Sequence, residues 1–288
     1  MLAKRRIKMF EPEVHELGIK EIRAVIAAIR KGYGDDFTDF NLGILSRRVA
    51  MSMNRLGLRQ IDRLCQTLQS GDRLFYTRLL AELTPPTTEL LRDPSFWLHL
   101  RGDVIPKLVA RNDKLRILQA AYGTGEELYS LLIVLEELRV RDKVEISCAF
   151  LSEETLTQIR TARLPIRRRE IDEANFARFE ASVPYANYVL NTAEESLFRQ
   201  ELLENVSFIR LSPEYDLPAD ASFHLILCRN QFLYFNLQLG ARNMQVLFDH
   251  LLAGGVLVLG TKECLESYQN GSTFTVLNRE ESIYRKKG

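Results

Sequence analysis

The sequence is poor in the residues that build disulfide frameworks and metal sites. It contains only four cysteines and four histidines in 288 residues. The cysteines lie far apart, without the CxxC or His-rich spacing of zinc and redox motifs. They are Cys65, Cys148, Cys228 and Cys264. We therefore expect reduced, mostly buried thiols and no metal site.

Long apolar runs and a strong net charge are also missing. The apolar runs fall far short of the roughly 18 residues that a membrane-spanning helix needs. The basic residues 1–8 lack the apolar core of a signal peptide. The formal net charge of +1 gives no indication of a nucleic acid or another polyanion as partner. We expect a cytoplasmic location, no membrane span and no nucleic-acid partner.

Apolar residues make up 46% of the chain, which is enough for a full core and for division into two units. Residues 1–82 carry fifteen Lys/Arg against ten Asp/Glu, whereas the remainder is slightly acidic. Apolar residues at helical spacing predict four helices within this first unit. The predicted helices span 14–31, 42–56, 59–69 and 72–83. Residues 1–82 are therefore predicted to form a small basic helical domain.

Three arginines of the second predicted helix, Arg47, Arg48 and Arg55, accompany its apolar residues. Two interpretations of these arginines remain open. They could form a solvated helix face, or they could form a docking surface for an acidic partner helix.

Pro85 and Pro86 interrupt the helical pattern, so residues 83–113 are predicted to be a linker followed by a helix that resumes at Glu89. From residue 114 strands and helices alternate, which predicts an α/β domain with a mostly parallel sheet. The predicted strands span 115–120, 143–150, 206–211, 222–228 and 255–260. The predicted helices span 124–139, 153–163 and 237–253, and a closing hairpin spans 274–285. Residues 170–200 break this alternation, and we interpret them as an insertion in the domain 114–288, with a strand near 185–191.

The stretch 114–130 is the strongest candidate for a ligand site. An apolar strand leads into a turn of small residues, and Thr124 and Glu127 have the spacing of a capping box that would start the next helix. Open α/β sheets bind nucleotides at such turns. Glu126 and Glu127 add negative charge that suits hydroxyls or a cation rather than phosphate. S-adenosylmethionine offers both, in its ribose and its sulfonium, although a capped helix after a strand is also ordinary fold chemistry.

Five segments in order along the chain resemble the motifs of one protein family. They are Asp36-Phe-Thr-Asp-Phe40 with Arg47-Arg48, residues 84–97 with Thr88, Arg92 and Asp93-Pro94, Thr124-Gly-Glu-Glu127 with Tyr129-Ser130, Cys228-Arg-Asn230 with Tyr234-Phe235, and residues 254–260 with Glu263 and Ile283-Tyr284. On these motifs the sequence resembles the chemotaxis-receptor glutamate methyltransferases, the CheR family, over essentially its whole length. The resemblance implies an N-terminal helical domain and a Rossmann-like methyltransferase domain, with a mostly parallel seven-stranded sheet and a small inserted β subdomain.

The resemblance also implies a reaction, a cofactor and a set of site residues. The family transfers a methyl group from S-adenosylmethionine to glutamate side chains of a chemoreceptor, so the implied partners are chemoreceptor cytoplasmic helices or another signalling protein. A glutamate is already ionised at pH 7, so positioning supplies most of the acceleration. By resemblance, Arg92 and Tyr234 orient the reacting groups. The positions implied to contact the cofactor are Thr88, Ala121, Glu126, Glu127, Phe150, Ser212, Arg229 and Asn230.

Several of these positions depart from the family pattern. Phe150 stands where the family has an aspartate that accepts hydrogen bonds from the ribose, and buried hydroxyls left unpaired cost about 1–3 kcal/mol each. Ser152 or Glu153 is the alternative ribose partner. Pro86 and Ser212 stand where asparagines are expected, and Tyr122 stands where a small residue is expected.

Three hypotheses therefore remain open. The protein is an active protein-glutamate methyltransferase, which the retained Arg92 and Tyr234 favour. Alternatively, it is a non-catalytic binding or regulatory relative that has lost the cofactor, which Phe150 and Pro86 favour and which the residues alone support slightly more. In the third hypothesis, Phe150 and Tyr122 stack on a different, nucleotide-like ligand.

Overall fold

The computed structural model describes residues 17–83 and 88–288. Four helices build the described part of the N-terminal unit, as predicted: α1 (Ile19–Tyr33), α2 (Leu42–Arg55), α3 (Ile61–Gln69) and α4 (Arg73–Leu83). The predicted start of the first helix, at residue 14, lies outside the described residues. The apolar spacing of α1 buries one face of that helix, which ends at Gly34 in a left-handed conformation with φ 86°. Just before α2, the Asn41 side chain accepts a hydrogen bond from the Ile44 amide at 3.3 Å and so caps the first turn of the helix.

The segment after α4 differs from the prediction. Residues 84–87, which include Pro86, lie outside the described residues. Residues 88–93 are not helical, and α5 begins at Pro94 (Pro94–His99) rather than at Glu89. Leu91 and Asp93 have positive φ angles of 51° and 58°, which interrupt a helix, and Pro94 suits the first helical position. A π-helical turn, Leu100–Val104, joins α5 to α6 (Ile105–Val109).

The α/β unit contains a seven-stranded sheet. Its strands are β1 (Leu115–Gln119), β2 (Val144–Phe150), β6 (Val206–Arg210), β7 (Phe223–Cys228), β8 (Leu251–Leu259), β9 (Phe274–Asn278) and β10 (Ile283–Lys286). Their order in the sheet is β6-β2-β1-β7-β8-β10-β9. The first five strands in the sheet order pair in parallel, and β10 pairs antiparallel with both of its neighbours. The helices α7 (Glu126–Glu137), α8 (Glu153–Thr161) and α10 (Leu237–His250) connect strands. This arrangement confirms the predicted α/β class and the closing hairpin.

The end of the last predicted helix in this unit is wrong. The helix predicted to reach residue 253 ends at His250, and β8 starts directly at Leu251. A short apolar run such as Leu251–Ala253 fits a strand or a helix equally well, so periodicity alone could not place the boundary.

The interruption predicted at 170–200 is a small subdomain that begins earlier than predicted. It contains β3 (Arg163–Leu164), α9 (Arg169–Phe179), β4 (Val189–Asn191) and β5 (Ser196–Phe198). The three strands form an antiparallel sheet in the order β3-β5-β4. The small inserted β subdomain is therefore present, with a helix as an additional part.

The large sheet has an apolar core on each of its faces. Alternate residues of one strand enter different cores, since Ile117 of β1 faces one cluster and Leu118 faces the other. The cluster that contains Leu118 also contains most of the buried apolar residues of α1 to α4. The helical unit therefore shares a continuous core with the sheet.

The polypeptide between α1 and α2 also pairs directly with the α/β unit. Phe40 forms an isolated antiparallel bridge with Phe235, and their rings meet edge to face with centroids 5.4 Å apart. The Asn41 amide donates to the Tyr234 carbonyl at 2.8 Å, and the Asn236 amide donates to the Asp39 carbonyl at 2.8 Å. The residues around Tyr234 are thus held in place partly by the helical unit.

Of the four cysteines, Cys148 and Cys228 are buried, whereas Cys65 is half-buried and Cys264 is exposed. All four are free thiols. Within residues 17–83 and 88–288, no helix is both long and apolar enough to cross a membrane.

We predict that Phe40→Ala lowers the free energy of unfolding by about 3 kcal/mol, because the substitution leaves a cavity where a buried ring packs on Phe235. Urea denaturation measures this change. Leu74→Ala serves as the control, since Leu74 is 63% exposed in the same unit and should shift stability by less than about 0.5 kcal/mol. Equal effects of the two substitutions would contradict the shared core.

Candidate functional site

A cavity of about 260 Å³ lies at the carboxyl ends of β1 and β7. Chain order reverses between these two strands, since β1 leads to β2 on one side and β7 leads to β8 on the other. Open α/β sheets bind ligands at such a switch point. Eight of the ten predicted catalytic and cofactor residues line this cavity. They are Thr88, Arg92, Ala121, Glu126, Glu127, Arg229, Asn230 and Tyr234.

The turn after β1 brings two carboxylates to the cavity, but not through the predicted capping box. Helix α7 begins at Glu126, after Gly125 with φ 111°. A Cβ atom on Gly125 would lie 2.5 Å from the Tyr129 hydroxyl, so the turn requires glycine for both space and conformation. The Thr124 hydroxyl donates to the Glu126 carboxylate at 2.6 Å instead of capping the helix.

The two carboxylates have different environments. Burial raises the pKa of Glu126 to about 7, and the hydrogen bond from Thr124 opposes that rise only partly. Burial also raises the pKa of Glu127, but there the Arg229 guanidinium opposes the rise. Glu127 therefore has a cation beside it. The hydrogen bond to the Glu126 carboxylate comes instead from the neutral Thr124 hydroxyl.

Buried polar side chains form a chain of contacts across the carboxyl ends of the strands. The Cys148 thiol donates to the Gln119 side-chain oxygen at 3.1 Å, and the Gln119 amide group donates to Glu127 at 3.3 Å. Arg229 contacts Glu127 at 3.4 Å and Asp93 at 2.6 Å. We did not predict Gln119 and Asp93 as site residues. The available signal was a polar residue at the end of an apolar strand and an acid beside Arg92.

Arg229 is the cation among these contacting side chains, and only 3% of its side chain is accessible. Its guanidinium carbon lies 4.1 Å from the centroid of the Phe96 ring, which adds a cation–π contact. Its Nε atom is buried without a hydrogen-bond partner among the described residues.

Arg92 and Tyr234, the predicted orienting residues, both line the cavity. The Arg92 side chain is 46% exposed and donates to the Thr88 hydroxyl at 3.3 Å, while its carbonyl accepts a bond from the Trp97 indole at 2.9 Å. Tyr234 is half-buried. Burial raises the pKa of Tyr234, and Arg48 and Arg92 oppose that rise. The positive charges of Arg48 and Arg92 therefore both lower the pKa of the Tyr234 phenol relative to the effect of burial alone.

Phe150 and Ser212 are the two predicted cofactor residues that do not line the cavity, and their contact with the cofactor stays a prediction. Phe150 is buried in the apolar cluster on the same face of β2 as Cys148, which does reach the cavity. Sequence alternation identifies the face of the strand but not the depth of a side chain along it. Ser212 lies behind Tyr122, whose hydroxyl donates to the Ser212 carbonyl. Neither of the alternative ribose partners, Ser152 and Glu153, lines the cavity.

The third hypothesis, stacking of Phe150 and Tyr122 on one ligand, is not supported by this arrangement. Tyr122 lines the cavity, but its ring packs edge to face on Tyr215 at 5.8 Å and its hydroxyl is engaged. With Phe150 outside the lining, the two rings do not form a pair of cavity walls.

The arginines predicted to dock a partner have contacts within the chain. Arg48 donates through Nε to the Leu83 carbonyl at 3.0 Å and through Nη2 to the Glu82 carbonyl. Arg55 pairs with the Glu82 carboxylate. Arg47 is exposed. Arg48 thus holds the end of α4, and the docking role of the three arginines stays a prediction.

We predict that Phe150→Leu lowers the free energy of unfolding by about 1 kcal/mol, because a core ring is replaced by a smaller apolar side chain. Affinity for the demethylated product of S-adenosylmethionine should stay within about 3-fold, since the ring does not line the cavity. Denaturation and calorimetric titration measure the two quantities. A 10-fold change in affinity with unchanged stability would instead place the ring at the ligand.

Comparison with known proteins agrees with this site. A family model described as the CheR methyltransferase, SAM binding domain, matches residues 86–282. The putative methyltransferase Cher3 of Pseudomonas putida is 27% identical over 269 residues, which are 92% of this chain and 96% of that protein. Chemotaxis protein methyltransferase 1 of Pseudomonas aeruginosa is 25% identical over 235 residues, 78% of this chain and 82% of that protein.

A third relative, the chemotaxis protein methyltransferase of Listeria innocua, is 26% identical over 205 residues, 67% of this chain and 70% of that protein. The family model covers more than half of the chain and includes every element that lines the cavity. The chain therefore belongs to the CheR methyltransferase family, and S-adenosylmethionine is the cofactor of its matching domain.

Proposed function

We propose that this protein is an active protein-glutamate O-methyltransferase of a chemosensory pathway. Its substrate would be a glutamate side chain of a chemoreceptor. The observation that carries the proposal is the cavity at the switch point, which brings Arg92 and Tyr234 together with Glu126 and Glu127. A binding module without catalysis would have no need of the first pair.

The carboxylates fit the cofactor that the family implies. Glu126 and Glu127 accept hydrogen bonds from hydroxyls or face a positive charge, and S-adenosylmethionine carries both kinds of group. Arg229 favours the ionised form of Glu127. The bound cofactor supplies a methyl group on a sulfonium, which is a reactive donor.

The acceptor needs orientation rather than activation, because a glutamate carboxylate is already ionised at neutral pH. Arg92, partly exposed at the cavity, is placed to pair with that carboxylate. Burial raises the pKa of Tyr234, so its phenol stays protonated and can donate a hydrogen bond to the same group. A general base is not required for this transfer.

The main argument for an inactive relative was the loss of a ribose partner at Phe150. The ring packs in the core and does not line the cavity, so it leaves the cavity open to a ligand. Glu126 is the buried carboxylate on the cavity that can take over as acceptor. We therefore favour the active enzyme over the regulatory module, with chemoreceptor cytoplasmic helices as its partner and the exposed Arg47 and Arg55 as candidate docking arginines.

We predict that affinity for the demethylated product rises about 10-fold between pH 6 and pH 8, because the Glu126 pKa of about 7 must be passed before its carboxylate can accept both ribose hydrogen bonds. Protonated Glu126 predominates at pH 6, so binding there includes the cost of ionisation. Titration calorimetry at both pH values measures the change. Glu126→Gln should abolish the pH dependence, while Glu153→Gln, at an exposed position, should retain it.

We also predict that the purified protein transfers radiolabelled methyl groups to a chemoreceptor cytoplasmic fragment in a form released by mild alkali, as expected for an ester. Arg92→Ala should lower the rate about 100-fold and Tyr234→Phe about 10-fold, because each loses a group that orients the acceptor. Arg111→Ala, at an exposed arginine outside the cavity, should retain the wild-type rate.

Two results would contradict the proposal. If titration of S-adenosylmethionine and of its demethylated product releases no heat, the result would favour the inactive binding module over the active enzyme. If the protein binds the cofactor but transfers no alkali-labile methyl group to any of several receptor fragments, the cofactor site stands. The proposal that a receptor glutamate is the acceptor is then refuted.

A further inference from the structure

A buried carboxylate outside the cavity, Glu263, holds the loop that follows β7. Its Oε2 atom accepts hydrogen bonds from the Asn230 amide at 2.8 Å and the Gly260 amide at 2.6 Å. Its Oε1 atom accepts from the Phe232 amide at 2.7 Å and the Leu233 amide at 3.3 Å. Glu263 is only 7% exposed. One side chain therefore binds three amides of residues 230–233.

This loop carries two of the residues that line the cavity, Asn230 and Tyr234. Asn230 has φ 57°, a left-handed conformation that a residue with a Cβ atom adopts only at some cost. Hydrogen bonds between an ionised carboxylate and backbone amides are about twice as strong as neutral ones. The carboxylate therefore stabilises a backbone conformation that the loop would not favour by itself.

The end of β8 is also built for this contact. A Cβ atom on Gly260 would lie 2.6 Å from the Asn230 side-chain oxygen and 2.9 Å from Glu263 Oε2. Only glycine lets the strand end approach the loop so closely. On its other side, the loop receives the Asn41 amide at the Tyr234 carbonyl. The loop is thus fixed between β8 and the helical unit.

We propose that Glu263 is a positioning residue for methyl transfer, which fixes residues 230–233 so that Asn230 and Tyr234 stay in place at the cavity. This inference rests on the proposed methyltransferase function. Glutamine cannot replace the carboxylate, since its NH₂ group would face either the Asn230 and Gly260 amides or the Phe232 and Leu233 amides. Donor would then meet donor at one half of the contact.

Four variants test the proposal. Glu263→Gln removes half of the acceptors. Gly260→Ala retains the carboxylate but adds a methyl group that clashes with Asn230 and Glu263. Both should lower kcat at saturating S-adenosylmethionine by about 10- to 100-fold, because a misplaced orienting group slows transfer by that order. Glu263→Asp retains a carboxylate on a shorter side chain and should recover part of the rate.

Glu137→Gln is the matched control. Glu137 is a buried carboxylate that accepts bonds from the Ser182 amide and the Tyr188 hydroxyl, away from the cavity. It should lose stability without a comparable loss of kcat. Hydrogen exchange of the Asn230, Phe232 and Leu233 amides provides a second readout, and should accelerate in Glu263→Gln and not in Glu137→Gln.

An active wild-type protein whose Glu263→Gln variant retains kcat, or loses no more than Glu137→Gln at an equal melting temperature, overturns the inference and leaves the proposed function intact. Unchanged exchange of the three amides overturns it as well. A wild-type protein that transfers no methyl group refutes the proposed function, and the positioning role falls with it.

Discussion

Arg229 brings a positive charge into the crevice of the sheet, where only 3% of its side chain remains accessible. A buried charge without partners costs several kcal/mol, so the surrounding structure must supply compensation. Asp93 comes from the turn before α5, Glu127 from the first turn of α7, and the Phe96 ring from α5 itself. The pairing requirement of one arginine therefore ties two separate segments, the start of α5 and the start of α7, to the carboxyl end of β7.

That requirement also gives the two neighbouring carboxylates different properties. Glu127 lies beside the cation, which offsets part of the effect of burial on its pKa. Glu126 lacks such a close cation, and its pKa rises to about 7. Two adjacent acids in the same cavity therefore have pKa values that different surroundings set, burial alone dominating for Glu126 and burial opposed by a cation for Glu127.

The cavity depends on both units of the chain. Residues 39–41 pair with residues 234–236, and the two units share one apolar core. The turn 88–93 is fixed in turn by hydrogen bonds from the Leu90 amide to Asp172 at 2.8 Å and from the Leu91 amide to Ser130 at 2.7 Å. A transfer that needs orientation above all is thus served by backbone segments held at several points.

The amino-acid sequence by itself determined the order of the helices and strands, the parallel sheet and the position of the cavity. These features follow from local apolar periodicity and from the rule that parallel strands end at a common edge. Tertiary structure alone decided the rest. Phe150 and Cys148 share one face of β2, and only the packing of neighbouring elements places one in the core and the other at the cavity. Thr124 has the sequence of a cap but bonds a carboxylate, and Arg48 has the pattern of an exposed arginine but holds the end of α4. The Leu83 carbonyl that Arg48 binds is distant in sequence, and no pattern within one segment contains that partner. The partner of Thr124 is only two residues away, but the bond depends on the burial of Glu126 within the fold.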